Sequence, residues 1–114
     1  MSTNNIMQIK GFYETKEIFI IDDRGKLAEI TPENSQKLYN HSPDGFNWGY
    51  AGSGPAQLAL AILLELSSKD FALFHHQDFK RDFIAGLEPE KDFEIDGQTV
   101  LNWISNKKGG VKNV

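Results

Sequence analysis

The residues best suited to chemistry gather in a glycine-rich stretch at the centre of the chain. Gly49, Gly52 and Gly54 precede Pro55, and proline is favoured at the first position of a helix. Successive backbone N–H groups ahead of a helix form an anion-binding nest, and the helix dipole places about half a positive charge there. The stretch therefore predicts either a site for a small anion or a sharp turn that brings the backbone close to the helix.

Side chains around this stretch extend the predicted site. Trp48 and Tyr50 carry rings suited to stacking on a base or sugar, and Lys80 is the expected cation. With Gly54 or Ser53 as the helix N-cap, Gln57 falls in or near the position of a capping-box glutamine. The predicted ligand-binding set comprises His41, Asn47, Trp48, Tyr50, Gly52, Ser53, Gly54, Gln57 and Lys80.

His41 stands beside a tight turn at Pro43, Asp44 and Gly45, in which the glycine is free to take a positive φ. The histidine either pins this loop through a hydrogen bond or contacts a ligand together with Ser42 and Asp44. Histidine titrates near neutrality, but general acid–base catalysis needs a partner group, and the sequence places no carboxylate at a recognisable spacing. We therefore expect no catalytic residue.

Known phosphate-binding and hydrolase patterns do not fit. A P-loop needs lysine followed by serine or threonine after its last glycine, where this chain has Pro55 and Ala56. A nucleophile elbow around Ser53 would require glycine at positions 51 and 55. The absence of cysteine excludes thiolate zinc sites and a cysteine nucleophile. The sequence therefore favours binding over catalysis.

A metal site on the second predicted helix is a further alternative. His75, Asp78 and Asp82 lie at positions i, i+3 and i+7, with His76 nearby, so one helix face could present them together. No fourth ligand follows at a telling spacing, and the mixture of acidic and basic residues there is typical of a solvated face. We expect neither a metal nor a cofactor.

The block of residues 40–63 resembles the signature of a known protein family. It reads NHSPDGFNWGYAGSGPAQLALAIL, against a signature N-H-S-P-x-G-F-x-W-G-Y-x-G-S-G-P-A-Q-L-A-L-A-I-L. The family consists of small bacterial and phage proteins grouped as a domain of unknown function, and Phe79, Lys80, residues 83–85 and Trp103 are similar to its weaker downstream pattern. The resemblance implies a common fold, a shared site and a bacterial or mobile-element host. It implies no activity and does not cover the N-terminal hairpin.

Local patterns predict the elements that must position these residues. Strands are expected at residues 6–13, 17–22 and 26–31, the last two joined by a glycine-containing turn. Helices are expected at residues 55–67, which are almost wholly apolar and hence buried, and at residues 70–85, which are amphipathic. A short strand at residues 93–95 and a helix from 96 or 97 follow, whereas residues 33–40 are ambiguous, with a short strand possible at residues 38 and 39.

These elements predict an α+β fold in which a small N-terminal antiparallel sheet packs on a buried central helix with two flanking helices. A chain of 114 residues suits a single domain, with residues 1–5 and 106–114 as flexible ends. The net charge of −4 and a pI near 5.3 argue against nucleic acid as a partner, and the longest apolar run is too short for a membrane span. The polar N-terminus favours a cytoplasmic protein.

We therefore expect a non-enzymatic binding protein of bacterial or phage origin, acting as an accessory or sequestering protein. Its expected partner is either a nucleotide-like anion or a host protein, bound through the loop of residues 41–57 and the helix N-terminus. The alternative is an assembly protein that forms a homo-oligomer and has no small ligand.

Overall fold

The computed structural model describes residues 6–109. Four strands, four helices and a π-helical turn follow one another in the order Ile6–Phe12 (β1), Glu17–Asp22 (β2), Leu27–Ile30 (β3), Glu33–Leu38 (α1), Ser53–Leu66 (α2), Lys69–Phe79 (α3), Lys80–Ile84 (the π-helical turn), Phe93–Asp96 (β4) and Gly97–Gly109 (α4). The predicted α+β class is confirmed. None of the helices in this part of the chain is long and apolar enough to cross a membrane.

The turn between β2 and β3 forms where the sequence predicts it. The Asp22 carboxylate accepts hydrogen bonds from the backbone N–H groups of Arg24 and Lys26, and Gly25 takes a φ of +82°. The N–H group of Lys26, helped by that of Arg24, holds the pKa of the Asp22 carboxyl below its ordinary value. Local turn chemistry therefore sets the start of the sheet.

Strand β4 completes the sheet on the far side of β1. The strand order is β3-β2-β1-β4, and every neighbouring pair is antiparallel. Ile9 of β1 pairs with Ile20 on one side and Ile95 on the other, so three buried isoleucines form a row across the sheet. Gly11 lies opposite Phe93, whose ring occupies the space that a side chain at Gly11 would need. Glycine at position 11 is thus required for β4 to pair with β1.

Helix α2 lies at the centre of the core, as its apolar sequence predicts. Every residue from 54 to 63 is buried, and Ser53 and Glu65 are its exposed positions. The helix begins at Ser53, two residues before the predicted start, with Gly52 as the N-cap rather than Ser53 or Gly54. Helix α3 packs along α2, and isoleucines of β1 and β2 belong to the same buried cluster. The sheet and the helices therefore share one core.

Helix α4 packs beside α3. The Asp96 carboxylate caps α4 by accepting hydrogen bonds from the backbone N–H and the hydroxyl of Thr99, and the hydroxyl bond is the main reason that the pKa of Asp96 is lowered. Trp103 packs edge-on against Phe79 and Phe83. This aromatic cluster joins α4 to α3 and its π-helical turn.

Two predicted segments differ from the structure. Residues 38 and 39 do not form a strand: Leu38 ends α1, and Tyr39 is its C-cap. Residues 106–109, which were predicted to belong to a flexible end, continue α4, and Lys107 lies 3.6 Å from a carboxylate oxygen of Asp78. Basic residues suit the end of a helix because they face its negative dipole end. Residues 1–5 and 110–114, also predicted to be flexible, lie outside the described residues.

Candidate ligand-binding site

The Gln57 side chain, on α2, forms hydrogen bonds with the loop that contains His41. Its Oε1 accepts hydrogen bonds from the backbone N–H groups of His41 (2.7 Å) and Ser42 (2.9 Å). Its Nε2 donates to Ser35 Oγ and to the backbone carbonyl of Tyr39. The residue is 0% exposed, and all four bonds that an amide side chain can make are present. Gln57 is therefore an internal anchor, with no donor or acceptor left for a ligand, and it is not a capping-box residue.

The ring of His41 is hydrogen-bonded to a second histidine, on α3. Nε2 of His41 lies 2.8 Å from Nε2 of His76, and the His41 ring also packs on Tyr39, with 4.4 Å between the ring centroids. Nδ1 of His76 lies 3.0 Å from the carbonyl oxygens of Ala72 and Leu73, which can only accept, so Nδ1 carries the proton. Nε2 of neutral His76 is then an acceptor, and His41 is the donor.

The surroundings of His41 favour the uncharged form of its ring. Burial lowers the pKa of His41 below its ordinary value of 6.5, and the neighbouring His76 and Lys80 lower it further. Lys80 follows His76 by four residues, one helical turn along the chain. The structure therefore brings together two of the predicted ligand-binding side chains, His41 and Lys80, and adds His76, which the sequence suggested only as a neighbour of a metal site.

The N-terminus of α2 leaves its first N–H groups without partners. Ser53 is exposed, and no side chain caps the helix. Pro55 has no N–H group, and the N–H of Ala56 donates to the carbonyl of Gly52 (3.1 Å). Within residues 6–109, no acceptor is recorded for the N–H groups of Gly52, Ser53 and Gly54. Such donors at a helix N-terminus suit an anion. Ser53 is exposed and Gly52 is half-buried, whereas Gly54 is buried against Asn47 and the hydroxyl of Tyr50.

Tyr50 lies across this helix terminus. The residue is 48% exposed, and its ring covers Gly52 so closely that a side chain at Gly52 would overlap it. The φ of Gly52 is −131°, so glycine is needed here for the approach of the ring and not for a positive φ. Positive φ angles occur instead at Gly45 (104°), as predicted, and at Gly49 (86°). Tyr50 is thus an exposed ring beside the free N–H groups.

Trp48, in contrast, is part of the core. It is 1% exposed, its indole N–H donates to the carbonyl of Lys91, and its ring contacts Tyr13 and Phe93 edge-on. A base has no free face of this ring to stack on, so the structure corrects the predicted stacking role of Trp48. Asn47 is half-buried, and its side-chain oxygen accepts the backbone N–H of Trp48. Both residues shape the loop from within.

The acidic side chains of the outer face of α3 are engaged in bonds within the protein. A carboxylate oxygen of Asp78 lies 3.1 Å from the guanidinium of Arg81, and the other lies 3.6 Å from Lys107. Asp82 accepts hydrogen bonds from Arg81 and from the indole N–H of Trp103. In the described part of the chain, no three histidine or carboxylate side chains converge as metal ligands. The ion pairs and hydrogen bonds of these carboxylates therefore connect this face to α4.

Sequence reasoning missed a second concave surface, between the β1–β2 turn and residues 88–92. It encloses about 770 Å³, and the rings of Phe12 and Tyr13 form part of its wall. The Asp92 carboxylate accepts the backbone N–H of Tyr13 (2.8 Å), which joins the two segments. Its five carboxylates are Glu14, Glu17, Glu88, Glu90 and Asp92. We call this surface the acidic cleft. The two segments are more than 70 residues apart, so each alone is typical of a solvated loop.

The fold and these sites define a small α+β protein with a four-stranded antiparallel sheet and a buried central helix whose N-terminus is free. The chain belongs to DUF6166, a family of unknown function, whose family model matches residues 11–106. The match extends well beyond the block of residues 40–63 and includes most of the N-terminal sheet, which the signature alone did not cover. No curated protein and no solved structure matches the chain.

Proposed function

We propose that this is a cytoplasmic binding protein of bacterial or phage origin, without a catalytic role, that recognises a small nucleotide-like anion at the N-terminus of α2. One observation carries the proposal: the N–H groups of Gly52, Ser53 and Gly54 have no recorded acceptor within residues 6–109, at the start of a 14-residue helix. Free N–H groups and the helix dipole both favour a negative charge at this point. An acidic side chain of a host protein would present the same charge.

The charges nearby support an anion rather than a cation. The chain as a whole carries a net charge of −4, yet the first turn of α2 contains no acidic residue. Lys80 lies close enough to His41 to lower the pKa of its ring, and Gln57 holds the His41 backbone beside α2. Because α2 rises about 1.5 Å per residue, Gln57 lies about 6 Å along the axis from Ser53. The positive charge of Lys80 thus lies beside the His41 ring, which Gln57 holds against α2.

Tyr50 supplies the aromatic contact that the sequence assigned to two residues. Its exposed ring lies over Gly52, next to the free N–H groups. A base attached to a bound phosphate would stack on this ring, and such contacts contribute roughly 1–3 kcal/mol per base. The proposed contacts are therefore the N–H groups of residues 52–54, the ring of Tyr50, the charge of Lys80 and the uncharged ring of His41.

Isothermal titration with inorganic pyrophosphate and with ADP tests this proposal. Replacing Lys80 with Gln should weaken the binding of both about two- to fivefold, as expected for one partly exposed charge. Tyr50→Ala should weaken ADP binding alone, because pyrophosphate has no base. Ser53→Asp should abolish the binding of both, since its carboxylate would occupy the free donors. The last variant should still fold, because an acidic residue stabilises the first turn of a helix.

The matched control is Lys26→Gln, which removes an exposed lysine from the β2–β3 turn and should leave both affinities unchanged. Failure of both ligands to bind at millimolar concentration would contradict the proposal. Size-exclusion chromatography at two protein concentrations addresses the alternative of a homo-oligomeric assembly protein, for which the candidate contact is Phe74, 81% exposed on α3. A mass that rises with concentration, with no ligand bound, would favour assembly.

The acidic cleft supports a second candidate function, the binding of a small organic cation. Its volume of about 770 Å³ lies in the range of ligand pockets, and it combines two aromatic rings with five carboxylates. A cation already uses one of these rings, because the Lys16 ammonium lies 3.3 Å from the centroid of Tyr13. Aromatic faces and carboxylates together are the groups that recognise alkylammonium and guanidinium ions.

Titration with tetramethylammonium, followed by NMR, tests this second function. We expect amide shifts confined to residues 12–17 and 88–92, and none with tert-butanol, a neutral molecule of similar shape. Glu90→Gln should weaken the binding, whereas Glu29→Gln, which removes an exposed carboxylate of β3 outside the cleft, should not. Equal shifts with the charged and neutral probes would show that the cleft does not select for charge.

A further inference from the structure

The hydrogen bond between His41 and His76 joins two parts of the molecule that are 35 residues apart. On one side, His76 is fixed: it is 6% exposed, and its Nδ1–H is held by the carbonyl oxygens of Ala72 and Leu73 in its own helix. On the other side, His41 lies at the edge of a loop and stacks on the exposed ring of Tyr39. The pair therefore connects a rigid, buried ring to a partly exposed one.

The number of protons on the pair decides whether this bond can exist. With no added proton, Nε2–H of His41 donates to the lone pair of His76 Nε2, and Nδ1 of His41 is unprotonated. A first added proton leaves the bond in place, because one Nε2–H group still faces one Nε2 lone pair whichever ring is charged, and the positive charge strengthens the bond. A second added proton leaves an N–H group on Nε2 of both rings. Two N–H groups would then face each other across 2.8 Å, and the bond is lost.

We propose that the His41–His76 pair is a proton-sensitive tie, which holds the side chains of residues 39 and 41 against α3 and releases them when both rings are protonated. The release is confined to side chains, because Gln57 continues to hold the backbone N–H of His41 and the carbonyl of Tyr39. Its consequence is to uncover the ring of His76 and to place two new positive charges beside Lys80.

The groups around His41 favour breaking of the His41–His76 bond when both rings are charged. The groups that act on the pKa of His41 are His76, from α3, and Lys80, from the π-helical turn, and both are positive when charged. No carboxylate of the described residues is among them. Tyr39, stacked on His41 from the loop, is neutral near pH 7, and the Gln57 amide of α2 is uncharged. Among the described residues, none of the groups that act on His41 therefore offsets a positive charge on its ring.

The tie also makes folding depend on pH in a defined direction. The pKa of His41 in the folded protein lies below the ordinary value of 6.5, so the unfolded chain takes up this proton first as the pH falls. The contribution of His41 to stability is therefore complete above about pH 6.5 and declines as the pH falls through the interval below it. His41→Gln should remove this part of the pH dependence. His75→Gln, which replaces the adjacent histidine of α3, should retain it.

Imidazole ¹⁵N spectra of the unmodified protein provide the decisive measurement, because they need no variant to fold. At pH 8 we expect protonated Nδ1 on His76 and protonated Nε2 on His41. On acidification, uptake of one proton by the pair should leave the ring-to-ring contacts in place. Those contacts should disappear only when both rings are protonated.

Three outcomes would overturn the proposal. The first is loss of the ring-to-ring contacts when the pair has taken up only one proton. The second is survival of the ring-to-ring contacts when both rings are charged. The third is a stability–pH profile of His41→Gln that matches that of the unchanged protein. None of these measurements uses a ligand, so the proposal of the tie is tested independently of the anion site.

Discussion

Gln57 illustrates, at the scale of a single residue, how a buried polar group organises the loop that carries the candidate site. Its amide forms hydrogen bonds with the backbone of Tyr39, His41 and Ser42. It also donates a hydrogen bond to the hydroxyl of Ser35. The sequence predicted a glutamine in or near the capping box. The helix begins earlier than that prediction required, and Gln57 consequently lies beyond the first turn and faces the protein interior.

Replacing Gln57 with Leu keeps most of the side-chain volume but removes all four hydrogen bonds. We expect the free energy of unfolding to fall by about 2–4 kcal/mol, since each buried group left without a partner costs roughly 1–3 kcal/mol and the loop relaxes in part. Urea denaturation measures the change. Gln98→Leu is the matched control, because Gln98 is exposed and its amide donates to the side chain of Asn102 alone among the described residues. Equal losses in the two variants would show that Gln57 is not an anchor.

Histidine 41 shows the limit of what local sequence indicates about one residue. Its position beside a turn predicted either a structural hydrogen bond or a ligand contact. The structure shows the hydrogen bond, to His76 at 2.8 Å, and the ligand contact stays a prediction. The partner could not be found from spacing, because the two rings meet only when the loop and α3 pack side by side against α2.

At the scale of elements, α2 dominates the stability of the fold. Its sequence has almost no polar face, and a helix of that kind is stable only when it is surrounded by other elements. Leu60→Ala should therefore lower the free energy of unfolding by roughly 2–5 kcal/mol, the range for a buried leucine that leaves a cavity. Thermal or urea unfolding measures the difference.

Leu27→Ala is the control for this change, because Leu27 is an exposed leucine on the edge strand β3. Its replacement should change the free energy of unfolding by less than about 0.5 kcal/mol, as is usual for surface positions. A small effect at Leu60, comparable with that at Leu27, would contradict the central position of α2.

Helix α1 is the element that local sequence described least well. Its six residues are too few for a helix that is stable by itself, so propensity could not decide between helix and strand. Tertiary contacts decide it: the hydroxyl of Ser35 bonds to the Pro32 carbonyl and accepts the Gln57 amide. A strand at residues 38 and 39 would also need a neighbouring strand, and β3, the nearest edge of the sheet, ends at Ile30.

At the scale of the whole molecule, charge is distributed unevenly. A net charge of −4 conceals a positive charge at Lys80, beside His41, and an acidic cleft lined by five carboxylates and one lysine, Lys91. Each of the two surfaces is built from segments that lie far apart in the sequence. The overall composition therefore does not reveal either surface. The candidate functions differ accordingly in the charge of the ligand, and the pyrophosphate and tetramethylammonium titrations separate them directly.

The sequence by itself determined the properties that depend on near neighbours in the chain. β-Branched and aromatic residues marked β2, apolar continuity marked α2 as buried, and turn residues placed the β2–β3 turn and the positive φ of Gly45. The glycine-rich segment before α2 was located in the same way. Each of these features follows from the preferences of a few consecutive residues.

Only the tertiary structure decided which distant residues meet. It placed Trp48 in the core, paired β4 with β1, joined His41 to His76 and assembled the acidic cleft from two loops. These contacts arise because burying α2 requires the sheet and α3 to close around it, and that closure brings together side chains whose separation along the chain carries no local signal.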